Sequence, residues 1–252
     1  MKIFDITTPQ KAYDTFLKLS NISELILNHC ITEAKTISSA NESFTAMARN
    51  FNFSPTFIPD ELICHAQHIT TSANGCMNIK QHGLKDLQST YEDTNSELRQ
   101  FLDSQDIKIN LPDKTLSYSG EQFSIAYAEE NKNLFAWKVG RKFYYDYNLC
   151  GFLSFNRKVY YGGQVNQRPE ILHNITDLIH KDISTLWKNT HKPYVVKFAI
   201  PYKDLCHDPE GEMDLLESVF YNIVNDPEDK VIITNYGISV PPQDIISIES
   251  LV

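Results

Sequence analysis

The composition of this chain is that of a folded, acidic protein. It has 252 residues, 42% hydrophobic and 22% charged, which suits one large domain or two small ones. A net charge of -9 gives no general attraction for nucleic acid, although a local basic groove is compatible with it. The five cysteines form no CxxC pair, no apolar stretch reaches about 18 residues, and no apolar segment follows Lys2. We therefore expect a cytoplasmic protein with reduced thiols and no membrane partner.

The first part of the chain predicts a helical region. Thr8 is a helix cap, Pro9 suits the first helical position, and apolar residues follow at nearly helical spacing. Two further helices are predicted over 22–35 and 42–49. Prolines then interrupt the pattern up to Pro59. We therefore divide the chain into an N-terminal helical region, 1–58, and a second domain, 59–252.

The second domain alternates between predicted strands and helices. A hairpin is predicted over 107–118, where apolar and polar residues alternate around a Pro-Asp turn. Two aromatic-rich segments, 133–140 and 142–155, predict strands. The remaining pattern predicts helices over 169–188 and 212–224, and strands over 192–201 and within 230–251. This mixture predicts an α+β fold.

Common catalytic and binding motifs are absent from the sequence. It contains no GxGxxG, no Walker A motif, no HExxH and no GxSxG. A zinc site drawn from Cys64, His65 and His68 lacks a second close pair of ligands. We therefore expect no metal, and no cysteine is marked as an activated nucleophile.

The most informative pattern is the segment 68–84. An apolar-flanked His-Ile-Thr, from His68 to Thr70, predicts a strand, and a polar loop follows it. An amphipathic turn then ends in His82 and Gly83, where glycine is typical of a helix C-cap. A histidine on a strand, a polar loop and a capped helix together predict a ligand pocket.

Two later segments add to this pattern. An aromatic stretch precedes Arg157, and Arg168 stands directly before a predicted helix. The closing part of the chain carries a Pro-Pro-x-x-Ile step from Pro241 to Ile245. Each segment is short, so the pattern gains weight only from the three together.

Together these segments, over about residues 60 to 250, resemble the ADP-ribosyltransferase superfamily, most of all the DarT-type ADP-ribosyltransferase toxins. Those proteins begin their catalytic domain with a His-x-Thr strand, a loop with asparagine and a helix ending in His-Gly-Leu. The matching positions here are His68, Thr70, Asn74, Ile79, His82, Gly83, Leu84, Arg168 and Pro241. The resemblance implies an ADP-ribosyltransferase-like split β-sheet core after the N-terminal helical subdomain.

The resemblance also implies a function. The chain would cleave NAD as its substrate and transfer ADP-ribose to DNA, RNA or protein, as a toxin or phage-defence effector. Its N-terminal helices would bind an antitoxin or a regulatory protein. Two alternatives stay open: a catalytically degenerate binding or regulatory module, and an NAD glycohydrolase that uses water as the acceptor.

The resemblance assigns NAD contacts to particular residues. A histidine can hydrogen-bond a ribose hydroxyl, neighbouring peptide groups can hold the nicotinamide amide, and an arginine can fork onto the pyrophosphate. Apart from the resemblance, two tyrosines before two glycines over 160–163 indicate a loop beside the pocket, where a tyrosine can stack on nicotinamide. The residues concerned are His68, Ile69, Thr70, Asn74, Tyr161, and either Arg157 or Arg168.

A carboxylate is also needed, because breaking the nicotinamide–ribose bond develops positive charge on the sugar. The family places its catalytic glutamate at the start of a late strand, and that register falls on Lys230 here. Glu228, two residues earlier, is the expected catalytic residue beside His68, and Glu170 is the alternative. Without any such carboxylate, the fold would bind NAD without transferring ADP-ribose.

Overall fold

The structure is a computed structural model that describes residues 1–35, 40–128, 132–155, 164–206, 211–224 and 230–251. In these ranges the fold is mixed α+β, as the sequence predicts. The helices are α1 (Pro9–Leu19), α2 (Glu24–Ala34), α3 (Ala40–Phe51), α4 (Met77–His82), α5 (Leu87–Glu92), α6 (Glu97–Ser104), α7 (Leu134–Tyr144), α8 (Glu170–Ile179), α9 (Ile183–Lys188) and α10 (Glu212–Val224).

The strands are β1 (Lys2–Phe4), β2 (Leu62–Ser72), β3 (Ile107–Asn110), β4 (Thr115–Tyr118), β5 (Glu121–Ser124), β6 (Cys150–Ser154), β7 (Lys192–Pro201), β8 (Lys230–Ile233) and β9 (Ile245–Ser250). No helix in the described ranges is long and apolar enough to cross a membrane.

The described residues form two compact units, each assembled from separate stretches of chain. The first unit holds 1–35, 40–68, 150–155, 197–206, 211–224 and 230–235. The second holds 69–128, 132–149, 164–196 and 236–251. The long strands β2 and β7 therefore contribute residues to both units.

The first unit packs helices against a sheet. Strands β8, β6, β2 and β7 are neighbours in that order, and β1 pairs in parallel with the start of β2. Helix α1 packs against α10. Rings from α1, α3, the following loop and α10 meet with centroids 5.7 to 6.5 Å apart: Phe16, Phe44, Phe53 and Phe220. The predicted N-terminal helices are confirmed, and Thr8 Oγ1 caps α1 by accepting from the Lys11 N–H at 3.2 Å.

The second unit has its own hydrophobic core and a three-stranded antiparallel sheet, β3-β4-β5. The predicted hairpin is confirmed as β3 and β4, with Ile107 opposite Tyr118. Strand β5 was not predicted. Tyr91, fully enclosed in this core, accepts from the Ile109 N–H at 2.7 Å and donates to the Ile109 carbonyl at 3.1 Å.

Three of the sequence predictions differ from the structure. The strand predicted over 133–140 is the helix α7, which Asn133 caps by accepting from two backbone N–H groups at 3.1 Å. Of the strand predicted over 142–155, only Cys150–Ser154 is a strand. The single helix predicted over 169–188 is two helices, because His180 adopts φ of 53° and Asp182 caps a new start.

Candidate functional site

His68 lies at the end of the ladder between β2 and β6 in the first unit. The pairing of Gln67 with Phe152 places Gly151 opposite His68, and β6 begins one residue earlier, at Cys150. His68 Nδ1 lies 2.8 Å from the Cys150 carbonyl oxygen. A carbonyl only accepts, so Nδ1 carries the proton and Nε2 presents its lone pair. The hydrogen bond therefore fixes both the tautomer and the direction of the ring.

Burial of the His68 ring keeps Nε2 unprotonated at neutral pH, so that it can act as a hydrogen-bond acceptor. Burial lowers the pKa of His68, and its hydrogen bond to the Cys150 carbonyl offsets only part of that effect. Within the described ranges, Nε2 has no hydrogen-bond partner. It can therefore accept a hydrogen bond from a ligand hydroxyl.

A lysine occupies the position where the resemblance places the catalytic glutamate, and its side chain contacts a helix. Lys230 begins β8, and its Nζ donates to the Ser218 hydroxyl of α10 at 2.7 Å. Of the two alternative carboxylates, Glu170 forms an ion pair with Lys142 at 2.7 Å in the second unit. Glu228 lies outside the described residues, as do Arg157 and Tyr161.

Arg168 lies in the second unit and exposes only 6% of its surface. Burial lowers the pKa of Arg168, and the carboxylates of Glu170, Asp177 and Asp182 partly offset this. In this conformation the guanidinium offers little surface to a pyrophosphate.

The rest of the His-Ile-Thr segment and the loop after it belong to the second unit. Ile69 is buried and Thr70 is half-buried, while Asn74 is exposed. The Asn74 Oδ1 accepts from the Met77 N–H at 3.0 Å, next to the start of α4. The Asn74 amide oxygen therefore holds the loop, and the amide nitrogen is left for other contacts.

Ser72 and Glu97 hold this loop together. The Ser72 hydroxyl accepts from the Asn74 and Cys76 N–H groups at 3.2 and 2.8 Å. It lies 2.6 Å from Glu97 Oε1, and the Ala73 N–H donates to Glu97 Oε2 at 2.7 Å. The loop is strained at the buried Cys76, which has φ of 60°, whereas Gly75 adopts its φ of 71° without strain. Such strain persists only where the surroundings over-determine it, and it concentrates at functional sites.

The Glu97 carboxylate is itself held by aromatic neighbours. His191 Nε2 lies 3.3 Å from Glu97 Oε2, and the His191 ring stacks on Trp187. Trp187 donates its indole N–H to Thr71 Oγ1 at 2.8 Å. Burial raises the pKa of Glu97, but hydrogen bonds from His191, Ser72 and Ala73 outweigh burial and lower it. Sequence reasoning missed Glu97 and His191, since nothing local marks either residue.

The first and last segments of the sequence pattern meet in the second unit. Leu84 and Val240 exchange backbone hydrogen bonds of 2.9 Å, next to Gly83. Gly83 ends α4 with φ of 80°, and a Cβ there would lie 1.9 Å from the Val240 carbonyl oxygen. An open groove of about 780 Å³ adjoins this contact, and it is lined by residues that include His82, Lys85, Asp93 and Pro241.

The described residues contain no cluster of three His, Cys, Asp or Glu side chains that could hold a metal. Two of the three residues considered for a zinc site, His65 and Cys64, have different roles in the structure. His65 bonds Asp5 at 2.9 Å, and burial raises the pKa of Cys64 to about 12. Comparisons of the chain with protein-family models, curated proteins and solved structures find no match.

Proposed function

We propose that this chain is an NAD-dependent ADP-ribosyltransferase that cleaves NAD and passes ADP-ribose to a macromolecular acceptor. The observation that carries the proposal is the His68 ring, whose tautomer is fixed and whose Nε2 can accept a hydrogen bond from a ligand. It stands in a His-Ile-Thr strand followed by a polar loop and a glycine-capped helix. The acceptor class that we propose, nucleic acid or protein, and the role as a toxin or defence effector follow from the resemblance alone.

The proposed reaction uses His68 to hold the sugar. Nε2 accepts a hydrogen bond from a hydroxyl of the nicotinamide ribose and so fixes the ring that must become positively charged. The bond from ribose C1′ to nicotinamide breaks, and its electron pair leaves with nicotinamide. A nucleophilic atom of the acceptor bonds to C1′ and gives up its proton.

Glu228 is the carboxylate that we propose for stabilising the sugar cation and taking that proton. The ion pair between Glu170 and Lys142 makes Glu170 the weaker choice. For the pyrophosphate we propose Arg157, because Arg168 is nearly enclosed. Tyr161 remains our candidate for stacking on nicotinamide.

The test is incubation with NAD labelled in the adenosine half, with cell extract as the source of acceptor. Nicotinamide release and labelled macromolecules are measured for the unaltered chain, His68→Ala and Glu228→Ala. His29→Ala is the matched control, because His29 is an exposed histidine on α2. We expect both activities in the unaltered chain and in the control, and a loss of at least about a hundredfold in the other two variants.

Other outcomes separate the alternatives. Nicotinamide release without labelled macromolecules indicates an NAD glycohydrolase. NAD binding without any release indicates a binding module, which Lys230 at the expected carboxylate register would favour. Unchanged activity in both variants contradicts the residue assignments, and absence of NAD binding contradicts the proposal as a whole.

A further inference from the structure

The orientation of the Asn74 side chain is set by its hydrogen bonds. The Met77 N–H is a donor, so the atom 3.0 Å from it must be the amide oxygen. The Nδ2 group then points the other way, with two N–H donors and no partner among the residues the structure describes. Since Asn74 is exposed, these donors are available to a ligand that carries a carbonyl or phosphate oxygen.

This orientation depends on the hydroxyl of Ser72, which has one proton to donate and two lone pairs. The lone pairs accept the N–H groups of Asn74 and Cys76. The proton must therefore go elsewhere, and Glu97 Oε1 is the nearer of its two acceptors, at 2.6 Å against 3.1 Å to Asn74 Oδ1. A carboxylate accepts from the Ser72 hydroxyl and from the Ala73 N–H at once, and so leaves both lone pairs of the hydroxyl free for the loop.

Glu97 is a fixed support and not a mobile surface group. Its second oxygen accepts the Ala73 N–H and faces His191 Nε2. The His191 ring lies 3.4 Å from Trp187, centroid to centroid, and almost parallel to it. A rigid, half-buried acceptor can hold the loop in one conformation before any ligand binds, which reduces the cost of ordering it on binding.

We propose that Glu97 is a positioning residue for NAD: through Ser72 it fixes the loop 73–76 so that Asn74 Nδ2 donates to a carbonyl or phosphate oxygen of the ligand. This inference rests on the proposed function, because NAD is taken as the ligand. Glu97 itself touches no part of NAD in this account.

The test is the substitution Glu97→Gln, which nearly preserves shape. A glutamine that accepts the Ala73 N–H must donate its amide N–H to Ser72, which then has too few lone pairs for Asn74 and Cys76. We expect the Kd for NAD, measured by calorimetry on folded protein, to rise about tenfold. Asp103→Asn is the matched control, since it removes an ion pair with Arg99 on the same helix. Its Kd should not change.

A second variant tests the ligand contact directly. Asn74→Asp keeps the oxygen that accepts the Met77 N–H but replaces the two outward donors with an acceptor. We expect its Kd to rise at least as much as that of E97Q, with little change in the unfolding midpoint. In Ser72→Ala, adding E97Q should raise the Kd no further, because both changes break the same connection.

The outcomes separate this inference from the proposed function. An unchanged Kd in folded E97Q, or an equal rise in D103N, overturns the positioning role. If E97Q does not fold, S72A replaces it, and an unchanged Kd there has the same meaning. If the unaltered chain binds NAD and His68→Ala weakens binding while E97Q and N74D do not, only the present inference fails. If the unaltered chain binds no NAD, both fail.

Discussion

A single backbone carbonyl decides what His68 can do. Because the Cys150 carbonyl takes the Nδ1 proton, Nε2 is an acceptor, and the ring can bind a hydroxyl without any change of charge. Protonation of Nε2 would turn it into a donor and remove that capacity. The chemistry of the residue therefore depends on which strand ends beside it as much as on its own type.

The first prediction follows from the lowered pKa of His68. An ordinary histidine is half protonated near pH 6.5, whereas this ring stays neutral to lower pH. We expect the Kd for NAD, measured by calorimetry, to stay constant from pH 8 to about pH 6.5 and to rise only below that. The His29→Ala variant should give the same profile. A Kd that already rises near pH 7 would contradict the lowered pKa of His68, and a Kd that stays constant down to pH 5 would contradict Nε2 as the acceptor.

At the scale of elements, the close approach of α4 to the closing segment depends on Gly83. Its φ of 80° and ψ of -172° are open essentially only to glycine. A side chain there would also run into the Val240 carbonyl. A side chain at position 83 would therefore carry two costs, the unfavourable backbone conformation and the clash with Val240. Comparison with Gly120 separates the two.

We expect Gly83→Ala to lower the free energy of unfolding more than Gly120→Ala does. Gly120 also has a positive φ, 83°, but a Cβ there meets nothing within 4 Å. The Gly120 variant therefore carries only the backbone strain, about 1 kcal/mol, and the Gly83 variant adds a backbone clash of about 2 kcal/mol. Urea unfolding of both variants measures the difference. Equal losses would mean that the loop around Val240 moves aside freely.

Helix α7 shows why local composition misleads in this chain. Its aromatic residues favour strands, but the buried positions Ala136, Val139, Gly140 and Phe143 have helical spacing. Gly140 packs so closely that a Cβ would lie 1.9 Å from the Ile125 carbonyl oxygen. That contact comes from a distant part of the sequence. Tertiary packing therefore outweighs strand propensity here, and the sequence of the segment alone does not reveal that packing.

The candidate site divides in the same way between local and distant causes. The strand around His68, the loop with Asn74 and the helix ended by Gly83 each have a local signal, and their secondary structure was predictable. The contact of His68 with Cys150 and that of Ser72 with Glu97 join residues far apart in sequence. No periodicity or spacing rule reaches that far, so the tautomer and the support of the loop had to come from the structure.

At the scale of the molecule, a buried carboxylate ties remote parts of the first unit together. Asp5 Oδ2 lies 2.9 Å from His65 Nδ1 and 2.8 Å from Lys197 Nζ. Burial raises the pKa of Asp5, but hydrogen bonds from His65, Lys197 and Thr7 outweigh it and hold the pKa well below its usual range. The unfolded chain then takes up a proton that the native one does not, once the pH falls below about 4.

Stability should therefore decline in acid, and Asp5→Asn should reduce that decline. The contribution of Asp5 is complete above about pH 4 and is lost as the pH falls through its depressed native pKa. At pH 7 the variant should lose about 3 kcal/mol, because two cations lose their shared partner. Between pH 5 and pH 3 its free energy of unfolding should fall less steeply than that of the unaltered chain. Urea unfolding at several pH values measures both, with Asp14→Asn, at a half-buried residue of α1, as the control. Parallel slopes would contradict the assignment.

The interleaving of the two units has a consequence for how the chain is made. Helix α1 leaves the ribosome well before its packing partner α10, which begins only at residue 212. At roughly 5–20 residues per second, the apolar face of α1 waits for about ten to forty seconds. During synthesis, that face is open to chaperones or to any other protein that binds an amphipathic helix. A nascent chain stalled before α10 should therefore be the form most prone to capture.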